Sequence, residues 1–428
     1  MLELGVIADD LTGGMMVASL LEGEGVPCPL VTSTRGLAEL DGDAEAVVIG
    51  RKIRLLPPEE AIADARRSAE ALLAKRAKRI YYKYSALFMS TEKGNIGPVS
   101  EDLMHLTGAD HVLFCPTWRG ATVYLGRLFV NDRMLHESGA SRDPATPMTN
   151  SNLLEVLQAQ SRVKVGLLPL RVLHSAEPAA EEFLAEQVRN GTSFFIADAI
   201  ENEDVARIAE LAADAPLSTG ADTLPIYLAR NWRQGRETTE PVRLLPPAPG
   251  YEVVLSGSCS PNTNRQIAAF EQRHPLFRVD LLQAAGDPNT ADRIVDWAAD
   301  RLEHGPVGIA TTTDPNGVER AQAVLGRQGA ADLAESLLGR VTGRLHGLGA
   351  RKFVVAGGET SGKVIDTLGI DRLRVSSFDY LGGGYCHAAG KDPISLVTKA
   401  GGAGGEDFFD AALRRMREAD AVVRKQEG

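Results

Sequence analysis

Cysteine, tryptophan and long apolar runs are all scarce in this sequence, and each scarcity excludes something. The 428 residues contain four cysteines, Cys28, Cys115, Cys259 and Cys386, far apart and without a CxxC pair. That spacing supports neither a disulfide framework nor a cysteine-built metal site. The eight histidines are scattered with no HExxH order, so no protein-bound metal is expected. The longest apolar stretches, such as Ala46-Val47-Val48-Ile49 and Phe194-Phe195-Ile196-Ala197, fall far short of the roughly 20 residues of a membrane helix. No basic n-region precedes the first apolar run, so a cytoplasmic protein without a signal peptide or membrane contact is expected. Basic charge is also in deficit, with 46 Lys+Arg against 57 Asp+Glu and a net charge of −11. That balance argues against non-specific nucleic-acid binding and leaves a local phosphate site open.

Glycine is what the chain has in excess. It has 43 glycines, about ten per cent of residues against a typical seven. Short β-branched runs alternate with Ala/Leu/Glu-rich stretches: strands are expected at 4–8, 46–50, 79–84 and 111–115, with helices over 14–23 and from Pro57 to Ala77. This alternation predicts a parallel α/β sheet, in which ligands collect at the carboxyl ends of the strands. Pro241, Pro246, Pro247 and Pro249 then interrupt the pattern. Four prolines in that window suit neither a central strand nor a helix. The expectation is a domain over 1–235, a linker over 236–250 and a second α/β domain over 251–428. The second series reads as strands at 252–256, 277–280, 307–311 and 352–356, with helices over 263–272, 288–304 and 321–348.

Five tracts carry residues suited to chemistry. Asp9-Asp10-Leu11-Thr12-Gly13-Gly14 follows the first strand. Adjacent acids at a strand end need partners, and a helix start there offers N–H groups to an anion, although Asp10 or Thr12 could simply be an N-cap. Lys83 and Tyr84 end the third strand, and Arg51, Lys52 and Arg54 end its predecessor, which together could form an anion-binding crevice. Ser256-Gly257-Ser258-Cys259-Ser260 and Gly357-Gly358-Glu359-Thr360-Ser361-Gly362-Lys363 are small-residue turns after strands. The latter approaches a Walker A loop but has Val364 where a Ser or Thr is required. Gly401-Gly402-Ala403-Gly404-Gly405 is another such loop before a helix. A nucleotide spanning these three loops is the economical explanation.

Taken together the tracts resemble the four-carbon acid sugar kinase family. The N-terminal Ala8-Asp9-Asp10-Leu11-Thr12-Gly13 matches its opening signature. Asn95-Ile96-Gly97-Pro98, Leu128-Phe129-Val130, Glu137-Ser138, Pro147-Met148-Thr149 and Ser151-Asn152-Leu153 follow in the family's order. The loops at 257–260, 357–362 and 401–409 complete the resemblance, which covers nearly the whole chain. It implies two domains, each a mostly parallel sheet flanked by helices, with the active site in the cleft between them. It also implies an ATP- and Mg²⁺-dependent kinase acting on a small acid sugar. Asp10 then corresponds to the catalytic residue, and Asp9, Arg54, Lys83 and Tyr84 to acid-sugar contacts. Ser258, Gly357, Gly358, Glu359, Thr360, Gly401 and Gly404 correspond to nucleotide contacts, with no protein metal ligands. A homo-oligomer remains open.

The departures concentrate in the sugar half. Met89 stands where the family has Asp, Thr117-Trp118-Arg119-Gly120-Ala121-Thr122 replaces a Pro-x-Asn-Gly-Arg segment, and Ile53 separates Lys52 from Arg54 where Ser is usual. These changes suggest an acceptor altered towards an oxo or branched acid sugar. The rival reading is a non-catalytic ligand-binding homologue of the same fold.

Overall fold

The computed structural model describes residues 2–40, 42, 44–143, 145–176, 178–236, 240–311, 315–381 and 384–426. The chain divides into two compact units, Met1–Pro241 and Val242–Gly428. In the first, the strands in chain order are β1 (Leu4–Ala8), β2 (Leu30–Val31), β3 (Ala46–Gly50), β4 (Arg79–Lys83), β5 (Val112–Cys115), β6 (Ala121–Tyr124), β7 (Arg127–Val130), β8 (Arg133–Met134), β9 (Lys164–Leu168), β10 (Thr192–Ala197) and β11 (Leu217–Gly220). Eight of them form a parallel sheet in the order β2-β3-β1-β4-β11-β5-β10-β9. Strands β6 to β8 make a separate antiparallel sheet. Every residue of β1 and β3 is buried, as expected for parallel strands covered by helices on both faces. The chain runs from β1 out to β2 at the edge, returns to β3 beside β1, and then crosses to β4 on the other side. The topological switch therefore lies between β1 and β4, where open α/β sheets hold their ligands.

The second unit repeats the principle with β12 (Tyr251–Ser256), β13 (Leu276–Arg278), β14 (Val307–Ala310), β15 (Ala350–Ala356), β16 (Arg372–Val375), β17 (Tyr385–Ala388) and β18 (Ile394–Lys399). The order β13-β14-β12-β15-β18 is parallel, and β17 and β16 extend it antiparallel. Here the switch lies between β12 and β15, whose ends carry two of the glycine–serine turns. The sequence expectation of two α/β domains with mostly parallel sheets agrees with this architecture.

Two helix expectations need correction. The stretch 321–348 is not one helix but two, Pro315–Leu325 and Arg327–Gly347. Gly326 separates them at φ +74°, a left-handed conformation that a helix interior does not accept. The stretch 288–304 differs less: its helix runs Thr290–Leu302, and a separate short helix, Leu281–Gly286, precedes it. Residues 240–250 carry neither helix nor strand. The end of this tract is pinned by the buried Lys352, whose Nζ donates to Ala248 O at 2.9 Å and pairs with Asp420 at 2.6 Å.

The first core is built around an aromatic series. Tyr84 stands edge-on to Tyr82 and Phe88, with ring centroids 5.9 and 5.4 Å away, and Phe114 meets Phe194 at 4.8 Å. Phe114 is fully buried at the centre of this series. Phe114→Ala is expected to destabilise the sugar-side unit by about 3–5 kcal/mol, from lost burial plus the cavity left behind. Urea unfolding followed by tyrosine fluorescence measures it, and a midpoint matching the unaltered chain would contradict this packing account.

Candidate functional site

The carboxyl end of β1 delivers Asp9 and Asp10 together. Asp10 caps the helix Leu11–Gly23 in an extended conformation, its Oδ1 accepting from Gly13 N at 2.8 Å. This is the N-cap role that an Asp before a helix commonly takes. The backbone of Asp9 ties three strand ends into one floor: its N donates to Lys83 O at 2.9 Å, and its O accepts from Ile53 N at 3.0 Å.

Arg54 then closes over both acids. Its Nε and Nη2 donate to the two Asp9 oxygens at 2.8 Å each, a bidentate fork, and Nη2 also pairs with Asp10 Oδ2. Asn95 holds the segment that presents Arg54. Its Nδ2 donates to Ile53 O at 2.8 Å, Leu56 O at 3.0 Å and Arg54 O at 3.3 Å. On the other side Lys83, almost fully buried, points its Nζ over Gly13. A Cβ on that glycine would lie 2.0 Å from Nζ, so any other residue there would displace the lysine head. Lys83 Nζ also faces Asp222 Oδ1 at 3.5 Å.

The electrostatics separate the three acids. Burial would raise Asp10, but Arg54, Lys83 and the Gly13 N–H outweigh it and hold the carboxyl well below its usual range. Burial dominates at Asp9 and pushes its pKa up, despite Arg54. Asp222 is raised as well, by burial and by repulsion from Asp10 and Asp9, against the attraction of Lys83. Thr12 Oγ1, in the first helical turn, is buried without a hydrogen-bond partner among the described residues. The result is a firmly ionised, partly exposed Asp10 carboxylate at a helix start, flanked by two cations.

Sequence reasoning placed Asp9, Asp10, Arg54 and Lys83 here, and the structure brings the four together. Tyr84 lies elsewhere: its ring is fully buried and its hydroxyl lies 3.3 Å from Thr219 Oγ1, so it supports the floor from within the core. Arg51 does not join the crevice, because Asp64 holds it bidentately at 2.6 and 2.7 Å. Asp222 and the anchoring role of Asn95 escaped the sequence. The available signal for Asp222 was Gly220-Ala221-Asp222-Thr223 at the end of β11.

In the second unit the three turns meet at the ends of β12, β15 and β18. Ser260 caps the helix Pro261–Glu271, accepting from Thr263 N at 3.1 Å, and its hydroxyl donates to Gly401 O. Gly357 adopts φ +120° before the helix Gly358–Thr367, and Thr360 Oγ1 lies where a Cβ on Gly257 would be 2.2 Å away. The loop at 401–405 is ordered by two side-chain amides. Asn262 Nδ2 donates to Ala403 O and Gly404 O at 3.1 and 3.0 Å, and Gln266 Nε2 donates to Ala403 O and Gly405 O at 3.0 and 2.8 Å. Gly401 passes so close to Ser258 that a Cβ would be 2.9 Å from its Oγ, and Gly404 sits at φ +81° against Phe408. The structure thus gathers Ser258, Gly357, Gly358, Thr360, Gly401 and Gly404 around these turns, with Glu359 exposed in the first helical turn. The Walker-like spacing is coincidental. The helix already begins at Gly358, which leaves Lys363 in its second turn, packed over Gly339.

Arg54→Met would leave the buried Asp9 carboxylate uncompensated, at an expected cost of about 3–5 kcal/mol at neutral pH. The sign follows from Asp9: its folded pKa, already raised, rises further, so the penalty shrinks as pH falls and Asp9 takes up a proton. Denaturant unfolding at several pH values checks this, and a penalty constant with pH would contradict it.

Comparison with known proteins agrees with both halves. Residues 4–228 match a family described as a sugar-binding N-terminal domain, and residues 253–409 one described as a nucleotide-binding C-terminal domain. A 3-oxo-tetronate kinase of Pseudomonas fluorescens is 37% identical over 428 residues, with 98% of each chain covered. One of Burkholderia multivorans is 36% identical, covering 96% of this chain and 97% of its own. Among solved structures, a putative tRNA synthase from Salmonella typhimurium LT2 superposes with a TM-score of 0.83 at 33% identity, covering 97% of this chain and 99% of its own. A Haemophilus influenzae protein from a family of unknown function gives 0.76 at 33% identity, covering 96% and 99%. With both domains matched and full-length kinase relatives well above 30% identity, the chain belongs to the four-carbon acid sugar kinase family.

Proposed function

We propose that this protein transfers the γ-phosphoryl group of ATP to a hydroxyl of a small acid sugar, four-carbon or a related oxo or branched acid. The observation that carries the proposal is Asp10, kept ionised at a helix start between Arg54 and Lys83 in the sugar-binding domain. The relatives named 3-oxo-tetronate kinase support an oxo acid as acceptor.

The chemistry follows from the residues. Asp10 accepts the proton of the acceptor hydroxyl as its oxygen attacks the γ-phosphorus. The bond to the bridging oxygen breaks and ADP departs, in a reaction that depends mainly on positioning and charge stabilisation. Arg54 and Lys83 orient the acid sugar through its carboxylate, for which Asp222 competes at Lys83. Backbone N–H groups at Gly358 to Thr360 and the glycine loop receive the phosphates. Asp9 holds Arg54 in place, and Tyr84 shapes the floor beneath the sugar. Mg²⁺ carried on the triphosphate would neutralise phosphate charge at these turns. Among the described residues no helix is long and apolar enough to cross a membrane.

A second reading, a homologue that binds ligand without turnover, is favoured by Met89. Phe88 and Met89 both take positive φ, +61° and +43°, and this turn carries a thioether at the position where the family has a hydrogen-bonding acid. Coupled ADP-release assays with Mg-ATP and a panel of acid sugars separate the two. The kinase reading expects turnover with a 3-oxo or branched acid well above that with erythronate or threonate. Asp10→Asn, which keeps a capping side chain, should lower kcat by about 10²–10⁴-fold while leaving ADP affinity unchanged. ATP binding without turnover on any acid sugar would favour the binding-only reading.

A further inference from the structure

Among the described residues three lysines are almost fully buried, and two of them have a carboxylate. Lys83 faces Asp222 and Lys352 pairs with Asp420. The third, Lys399, ends β18 directly before the glycine loop, with 2% of its surface exposed. Its Nζ donates to Thr263 Oγ1 at 2.9 Å and to Gly401 O at 3.2 Å, and lies 5.9 Å from the centre of the Phe408 ring. All three partners are neutral: one comes from the helix Pro261–Glu271, one from the loop and one from the helix Phe408–Gln426. No ion pair with a described carboxylate joins them. An ammonium has three N–H donors, so these contacts leave one for a ligand.

Burying an ammonium without a counter-charge is costly, and such groups are retained where a charge arrives later. We propose that Lys399 is the internal counter-cation for the nucleotide's phosphates. It holds Gly401 and Thr263 in position from beneath the loop and receives its counter-anion only when a phosphate occupies the loop. The arrangement joins it to the rest of the turn, since Thr263 Oγ1 also reaches Ser258 Oγ at 3.2 Å and Gly401 O at 3.1 Å. The inference rests on the nucleotide-binding reading of this domain and deepens it.

Burial lowers the Lys399 pKa to about 8. A bound phosphate would raise it again. Nucleotide binding at pH 8 should then draw a proton onto Lys399, and affinity should fall as pH rises above that value because the free protein loses the charge. A lysine that merely latched the loop would show neither effect.

Calorimetric titration of the full chain with ADP, in two buffers of different ionisation heat, reads the proton count directly. The expected result is uptake of about half a proton per ADP at pH 8, with affinity falling by up to about tenfold per pH unit above 8. Lys399→Met should abolish the uptake and the pH dependence and weaken ADP binding. Lys399→Arg, charged throughout, should bind ADP with no uptake and a flat profile even if the methionine variant fails to fold. Tight ADP binding without proton uptake, or the same uptake in the arginine variant, would overturn the role of Lys399 while leaving the nucleotide site intact. No ADP binding by the unaltered chain would overturn both.

Discussion

The sugar-side site depends on one guanidinium. Arg54 satisfies both oxygens of a buried Asp9 and at the same time reaches Asp10. Without it the two adjacent acids at the end of β1 would repel each other, and Asp10 would keep only Lys83 and the Gly13 N–H to favour its charge. The remainder of the local structure serves this clamp. Asn95 fixes the Arg54 segment by three backbone carbonyls, Gly13 leaves room for the Lys83 ammonium, and the hydrogen bonds of Asp9 N and O lock the ends of β1, β3 and β4.

The nucleotide-side unit solves a different problem with the same sheet geometry. Its ligand needs close backbone approach, which requires glycine, and glycine alone gives disorder rather than a site. Asn262 and Gln266 supply the missing order, because two amides one helical turn apart on one helix face hold successive carbonyls of the loop. Both units place their chemistry at a topological switch of a mostly parallel sheet. The two ligand chemistries thus follow from one folding principle applied twice, with acids and bases at one switch and small residues at the other.

Much of this was legible because parallel, doubly covered strands announce themselves as short β-branched runs, as at 46–50 and 352–356, and because the site motifs directly follow such strands. What escaped had physical reasons. Strand β11 reads Leu-Ser-Thr-Gly, too polar to resemble a buried strand, so Asp222 at its end went unnoticed. Arg51 and Arg54 look equivalent in sequence, and only the fold shows that Asp64, on the following helix, captures the first. Tyr84 alternates with Lys83, and register decides which side chain faces the ligand end and which the core. The helix break at Gly326 was hidden within a long Ala/Leu-rich stretch, where a single glycine is easily tolerated. The glycine loop's ordering depends on side chains about 140 residues earlier, a contact that no local pattern reveals.

In the proposed reaction Asp10 is the base that meets the acceptor hydroxyl. A crystal structure with ADP, aluminium fluoride and a turned-over acid sugar tests it most directly. The acceptor hydroxyl is expected within about 3 Å of an Asp10 carboxylate oxygen, with the sugar's carboxylate at Arg54 or Lys83. An acid sugar bound with its reacting hydroxyl remote from Asp10, and Asp10 engaged only by Arg54 and Gly13, would contradict it.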